Sequence, residues 1–412
     1  MVTGPPGPSE ATIEMHRSGN QPLATRGWYE PADCNLADFV EVVSTPTDPA
    51  DYPHAERIEQ GAVVYDAATL TDQCADPTAR RIVQAELARV LLDGPGIVVF
   101  GGAVGHDAVD RVSASLQRTI DDQHARSVTA GDHFAKAGAN DRVWNALQKV
   151  ALDDPEAFVD YYAHDTLALV STAWLGPDYQ VTSQVNVVNP GSAAQSPHRD
   201  YHLGFKSQAQ AAEFPAHVHA LSATLTLQGA IAHCDMPVET GPTLYLPHSQ
   251  KYGPGYLAWW HEEFNEYFMD HYAQLPLHKG DAVYFNPAVF HAAGHNRTTD
   301  VRRMANLLQV SSPMGRALEA VDRELMCNHL YPVLLQRKAS GMDNLAIANV
   351  VAASAEGYAF PTSLDRDPPI GGLAPASQAD VVRQALAEGW PAEQLSAALR
   401  EHALRRSPTP TD

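Results

Sequence analysis

Gly280-Asp281-Ala282-Val283-Tyr284-Phe285, then Phe290-His291-Ala292-Ala293-Gly294-His295-Asn296-Arg297, then Val301-Arg302-Arg303 form one compound pattern. Gly280-Asp281 is turn chemistry ahead of a strand. Ala282 to Phe285 is a short apolar strand, and His291 follows at its far side. A further strand, Met304 to Val310, brings Arg302 or Arg303 to the same pocket. A histidine and an arginine delivered by neighbouring strands mark the polar centre of a β-rich unit.

Working outward, the next piece is Ser196-Pro197-His198-Arg199-Asp200-Tyr201. Residues two apart on a strand share a face, so His198 and Asp200 can hold adjacent corners of one metal ion. A second histidine from a distant strand completes a two-histidine, one-carboxylate set. That set leaves open coordination positions for a cosubstrate and oxygen, as non-heme iron(II) sites require. Alone, His-x-Asp is weak: 19 histidines give about one occurrence by composition. His233-Cys234-Asp235 is a second instance, and His261-Glu262-Glu263 is a His-x-Glu. Spacing does not choose, because the 93 or 58 residues to His291 can each bridge two strands of a barrel. His233 and Asp235 read as the end of a strand Val218 to Ile231, with Cys234 a small buried side chain.

The surrounding chain separates into helical and strand-like stretches. Asp76 caps a helix with Pro77 at its first turn, and Val83, Leu87, Val90 and Leu91 share a face. Gly94-Pro95 ends that helix, and a short strand Gly96 to Phe100 follows. Val109, Val112, Leu116 and Ile120 define a second helix, and about 157–175 a third. The period then changes. Val181, Ser183, Val185 and Val187 alternate as on a half-buried strand, and Leu221, Ala223, Leu225 and Leu227 alternate the same way. Helical pattern returns over about 314–358. A Pro/Gly-rich stretch then leads to a last helix, about 378–404, whose Leu386, Leu395, Leu399 and Leu404 serve either core packing or a homodimer contact. Residues 1–25 read as a polar lead-in and 26–75 as an irregular wrap. The aromatics of Tyr252 to Tyr272 form either a lid or plain packing. Tyr201 and His202 are placed to line the pocket.

Composition narrows the function classes. Lys plus Arg is 28 against 49 for Asp plus Glu, a formal net charge of -21. That excludes nucleic acid and anionic membranes as main partners, because both are bound by clustered cations. Cys34, Cys74, Cys234 and Cys327 show no CxxC pair or zinc spacing, so a reducing, cytoplasmic location is expected. No apolar run approaches the 18 or so residues of a membrane helix, and no signal peptide is visible. The expected partner is a small-molecule substrate.

The sequence resembles the phytanoyl-CoA dioxygenase family of iron(II)- and 2-oxoglutarate-dependent oxygenases over about residues 80–315. The pieces come in the family's order: a helix–strand–helix opening, the strand Gln180 to Val188 with Asn189-Pro190-Gly191, and His198-Arg199-Asp200. Glu239-Thr240-Gly241-Pro242-Thr243 follows, then Pro247-His248-Ser249-Gln250 and the His291…Arg302 block. The resemblance implies a fold that is mainly β with flanking helices, on a double-stranded β-helix (jelly roll, cupin-like) core. It implies an irregular N-terminal extension over 1–75, the oxygenase domain over 76–315 and a helical C-terminal extension over 316–412.

It further implies that His198, Asp200 and His291 bind Fe(II). Arg302 would grip the distal carboxylate of 2-oxoglutarate by its planar fork, with Arg303 on the opposite face. Gln184, Asn186 and Thr243 would contact the cosubstrate. The implied reaction uses O2 to hydroxylate an unactivated C–H bond of a small metabolite, secondary or derived from an amino acid, releasing succinate and CO2. Asp200 favours hydroxylation over halogenation, since related halogenases lack this carboxylate. Ala292-Ala293-Gly294 departs from the family's Gly-Ser-Gly and removes a hydroxyl, and His295 is a rival for the distal ligand. Competing readings are desaturation, epimerisation or ring formation, a metal-free β-helix that binds a ligand, and a zinc or manganese cupin-type enzyme without 2-oxoglutarate.

Overall fold

Strand β11, Arg303–Ser311, is the spine of the chain. In the computed structural model, which describes residues 27–126 and 140–408, it lies antiparallel between β5 (Gln180–Val188) and β6 (Thr226–Ala232). β9 (Ala282–Phe285) joins β6, and β3 (Ile97–Gly101) joins β9. β2 (Ala62–Asp66) runs parallel to β3, and β1 (Arg57–Glu59) closes that edge. β4 (Asn140–Val143) closes the other, giving a mixed eight-stranded sheet. A smaller sheet of β10 (Phe290–Ala292), β7 (Leu244–Leu246) and β8 (Ala273–Gln274) faces it. The expected lead-in over 1–25 lies outside the described residues.

The period of two explains how the large sheet serves two environments. Val63, Val98, Phe100, Val181, Val185, Leu308 and Val310 turn to one side and join the main core with the helices. Their alternates Val64, Ile97, Val99, Val283 and Phe285 turn to the other, meeting Tyr245, Leu275 and Leu277 from the facing side. Each buried valine or leucine contributes roughly 1.5–3 kcal/mol, so slipping one strand by one residue is strongly opposed.

The helices form where the sequence caps them. Asp76 accepts from the Thr78 and Ala79 N–H groups and starts the helix Pro77–Leu92. The stretch expected as one helix over 157–175 is two, Pro155–Tyr162 and Asp165–Leu175, with Asp154 capping the first. The C-terminal part is helical, as Arg323–Ala339, Asn344–Ser354, Gln378–Glu388 and Ala392–Arg406. Leu386, Leu395 and Leu399 are buried in the chain's own main core. The Tyr252–Tyr272 aromatics are packing: Tyr252, Phe264 and Phe268 bury with Phe39 behind the small sheet.

Three expectations are corrected. Helix outweighs strand among the described residues, so the chain is not mainly β; it is a large mixed sheet with many helices. Leu221 to Leu225 is not strand: Ala216–Thr224 is a helix entered through Pro215, and β6 begins at Thr226. The expected irregular wrap over 26–75 is, in its described part 27–75, regular structure: it supplies β1, β2 and the helices Leu36–Val43 and Ala67–Gln73. The expected boundary at residue 76 therefore falls within one sheet.

Candidate metal centre

His198 and His291 face each other across a two-residue antiparallel bridge. The His198 N–H donates to the His291 carbonyl at 3.0 Å, and the His291 N–H to the His198 carbonyl at 3.2 Å. Asp200, two residues on, points to the same side, and its N–H is taken by the Pro287 carbonyl. Tyr201 and His202 then adopt positive φ of 60° and 47°, turning the chain away. One ligand atom from each of His198, Asp200 and His291 lies within 4.8 Å of the others. The structure thus brings together all three residues expected as metal ligands.

The histidine tautomers follow from backbone acceptors. His198 Nδ1 lies 2.9 Å from the Ser196 carbonyl, and His291 Nδ1 lies 2.9 Å from the Val289 carbonyl. A carbonyl only accepts, so both Nδ1 atoms carry the proton and both Nε2 lone pairs turn inward. His291 Nε2 is 3.2 Å from Asp200 Oδ2, and His198 Nε2 is 3.7 Å from Asp200 Oδ1. Lone pairs facing a carboxylate at that range call for a cation or proton between them, so the donor set fits a divalent metal.

The electrostatics agree. Burial opposes ionisation of Asp200, but a proton or cation shared with the facing His291 and His198 imidazoles, together with the Gln228 amide, outweighs it and holds the carboxyl well below its usual range. Gln228 Nε2 donates to Asp200 Oδ2 at 2.7 Å. Burial and the neighbouring His291 lower the His198 pKa, which keeps that ring neutral and available as a ligand.

Arg199, between the two ligands, points the opposite way. Its Nη2 donates to the Ser249 and Tyr252 carbonyls at 2.6 and 3.0 Å. Its guanidinium also lies 5.1 Å from the Tyr256 ring and 5.3 Å from Phe290. Burial pushes its pKa down to about 10. The loop 249–255 must come close to meet it: a Cβ at Gly255 would sit 1.9 Å from Arg199 Cζ.

The ligands open into a cavity of about 390 Å³ between the sheets. The arginine in this cavity next to the facing loop is Arg303, not the expected Arg302. Arg303 pairs with Val188 in the sheet and shares its face with Ala305, Leu307 and Gln309, all in the cavity wall. Its side chain is buried, donates to the Gly241 carbonyl, and has its pKa pushed down to about 10 by burial. Arg302 is 45% exposed, pairs with Asp141 at 2.9 Å and donates to Asn189 Oδ1 at 3.2 Å. Strand parity decides it, since neighbouring residues take opposite faces.

The remaining expectations sort as follows. Gln184, Asn186 and Thr243 all line the cavity. Gln184 Oε1 accepts from Arg142 Nη1 at 2.5 Å, whereas Asn186 Oδ1 is buried without a partner. Tyr201 lines the cavity, but His202 turns to the Thr226 hydroxyl. His295 is exposed and outside the ligand cluster. His233 lies on the helix side of the sheet, between the Ser113 and Tyr161 hydroxyls, and Asp235 is an exposed partner of His278. Sequence reasoning missed Arg142, Trp144, Gln228 and Glu319 in the cavity wall. Gln228 has a signal, a lone amide in the apolar run Thr226–Ala232, and Glu319 has none.

Residues 77–304, more than half of the chain, match the phytanoyl-CoA dioxygenase (PhyH) family. The chain belongs to this family of iron- and 2-oxoglutarate-dependent enzymes. Among solved structures, it is similar to the non-heme α-ketoglutarate-dependent epimerase SnoN from nogalamycin biosynthesis, at 18% identity and TM-score 0.37 over 58% of this chain and 84% of that one. The carbocyclase SnoK from the same biosynthesis shows 19% identity and TM-score 0.38 over 55% and 83% of the two chains. HygX from Streptomyces hygroscopicus, with nickel, 2-oxoglutarate and hygromycin B bound, shows 16% identity and TM-score 0.38 over 56% and 89%. No curated protein matches the chain.

Proposed function

We propose that His198, Asp200 and His291 hold Fe(II), that Arg303 anchors 2-oxoglutarate, and that the chain hydroxylates an unactivated C–H bond of a small metabolite. The observation that carries this is the convergence of two imidazole lone pairs on Asp200, in a cavity whose wall also holds a buried guanidinium. Two neutral imidazoles and one carboxylate are the donor set that leaves positions for cosubstrate and oxygen. When bound, iron(II) with 2-oxoglutarate supplies oxidation of a C–H bond by O2, with release of succinate and CO2.

The protein's own part is positioning. The Ser196 and Val289 carbonyls fix both imidazole tautomers, and the Gln228 amide orients Asp200. Such outer hydrogen bonds set ligand orientation and basicity. Arg303 receives the far carboxylate of 2-oxoglutarate through its planar fork, with Asn186 and Thr243 as further contacts. Met236, Leu275, Leu277, Val283 and Phe285 line the cavity with apolar surface that excludes water and strengthens that pairing. Asp200 occupies the position that a halide needs, which supports hydroxylation over halogenation.

The facing sheets with the ligands between them support a jelly-roll core. All four cysteines are free thiols, which supports a reducing compartment. Among the described residues, no helix is long and apolar enough to cross a membrane.

Anaerobic titration of the metal-free protein with iron(II) and then 2-oxoglutarate tests this reading. A weak visible charge-transfer band is expected, lost in Arg303→Ala. Iron uptake without the band defeats the cosubstrate assignment, and no iron uptake defeats the metal centre.

A further inference from the structure

The cavity has two chemically different ends. Arg303 and the Gly241–Thr243 loop mark one. At the other, past the ligands and beside Tyr201, the wall offers hydrogen-bond acceptors. Glu319 reaches it from the segment after β11. Its Oε1 accepts from the Asn145 N–H at 2.7 Å, while Oε2 is buried with no partner. Gln309 and Gln228 stand opposite each other on β11 and β6, and the Oε1 atom of each is buried without a partner. The Gln228 amide is oriented by its bond to Asp200, so its oxygen is the atom left over. Buried acceptors left unmet destabilise the protein unless a ligand brings donors to them.

Four further observations bear on the ligand's nature. Trp144 and Phe205 line the cavity yet are 39% and 61% exposed, which offers apolar contact at the mouth, with Leu318 beside them. Burial raises the Glu319 pKa against the Asn145 N–H hydrogen bond and the field of Lys149. The neighbouring cation Arg142 is engaged with Gln184 and lies 5.1 Å from the Trp144 ring. A formal charge of -21 draws cations towards the protein from a distance.

Resting on the function proposed above, we propose that the primary substrate is a small molecule bearing a protonated amine that sits on Glu319 Oε2. Its other N–H or O–H donors reach Gln309 and Gln228, and its apolar part lies against Trp144, Phe205 and Leu318. An ammonium is favoured over a hydroxyl because a charge-assisted hydrogen bond is about twice as strong as a neutral one. An acid would set its own carboxylate against Glu319 and the two amide oxygens.

The test titrates three probes of one shape into the full chain by calorimetry: 2-phenylethylamine, 2-phenylethanol and 3-phenylpropanoate. It is run metal-free and, anaerobically, with iron(II) and 2-oxoglutarate. The amine is expected to bind at least about tenfold more tightly than the acid. Glu319→Gln keeps an acceptor for the Asn145 N–H and is expected to bring the amine down to the level of the alcohol. Glu319→Asp, which keeps the charge, retains the amine preference and serves if the amide variant does not fold. No amine binding, equal binding of acid and amine, or a preference unchanged in Glu319→Gln overturns the proposal. The charge-transfer band is read separately. A preference without the band defeats only the oxygenase reading, and the band without a preference defeats only this one.

Discussion

Replacing Arg303 by methionine tests the cosubstrate site more sharply than any ligand change. The thioether fills much of the same space and removes only the charge and the donors. Arg303 is 7% exposed and its guanidinium is already strained by burial, with its pKa pushed down to about 10. Breaking a buried charge pair costs about 3–5 kcal/mol. At 1.4 kcal/mol per tenfold, that weakens 2-oxoglutarate binding by about a hundredfold to several thousandfold. Arg302→Ala is the internal control. Arg302 is 45% exposed and paired with Asp141, and an exposed pair is worth about 0.2–1 kcal/mol, so the dissociation constant should move less than about fivefold. The assay is anaerobic calorimetry of 2-oxoglutarate binding to the iron-loaded protein, with iron affinity measured first for each variant. Equal losses in both variants, or an Arg303→Met constant within threefold of the parent, would refute the assignment of strand faces to function.

Other outcomes follow from the same geometry. His198→Ala or His291→Ala is expected to abolish iron uptake while Tm falls by no more than about 2–4 °C, an upper bound for a loss of about 1 kcal/mol because that range belongs to shorter chains; calorimetry and melting read the two effects separately. Arg199→Met strips the donor from the Ser249 and Tyr252 carbonyls, so a stability loss of about 2–4 kcal/mol is expected in urea, together with weaker iron binding because the 198–200 segment loses its anchor. Unchanged values of both would mean that the anchor is idle. Burial lowers the pKa of His233 to about 3 and of His248, beside Lys251, to about 4. Below about pH 6.5 the unfolded chain binds protons that the folded one refuses, so their stabilisation is complete above that pH and drains away as pH falls towards 4. Melting temperature from pH 7 to 4.5 should fall accordingly, and less steeply in His233→Asn.

The metal ligands are legible in the sequence because their signal is local on one side and ordered on the other. His198 and Asp200 share a face by spacing alone, and His291 comes at the end of an apolar strand behind a Gly-Asp turn. The choice between Arg302 and Arg303 is not legible in the same way. Alternation says that only one enters the cavity, but which one depends on how β11 registers against β5, a contact between segments more than a hundred residues apart. Leu221 to Leu227 misleads because four alternating apolar residues are too short a window to separate a strand from a helix end. Pro215 and the burial of His219 and Ser222 settle it in three dimensions. Strand β2 hides for the opposite reason: Ala62–Asp66 is a brief apolar run whose partner, β3, lies beyond the intervening helices. Glu319 has no periodicity around it and gains meaning only from the cavity it meets.

Each histidine of the metal centre is oriented by a carbonyl two residues earlier in its own segment, Ser196 for His198 and Val289 for His291. The aim of both rings is therefore written into short stretches of backbone, with Phe285 packed edge-on against His291, and it borrows nothing from the side chains at the mouth. Trp144, Phe205, Leu318 and Glu319 can in consequence be exchanged without re-aiming the rings. Within such a scaffold, selectivity and reactivity are inherited on separate parts of the chain. A designer wishing to redirect the protein towards another molecule has a mouth to rewrite and a centre to leave alone.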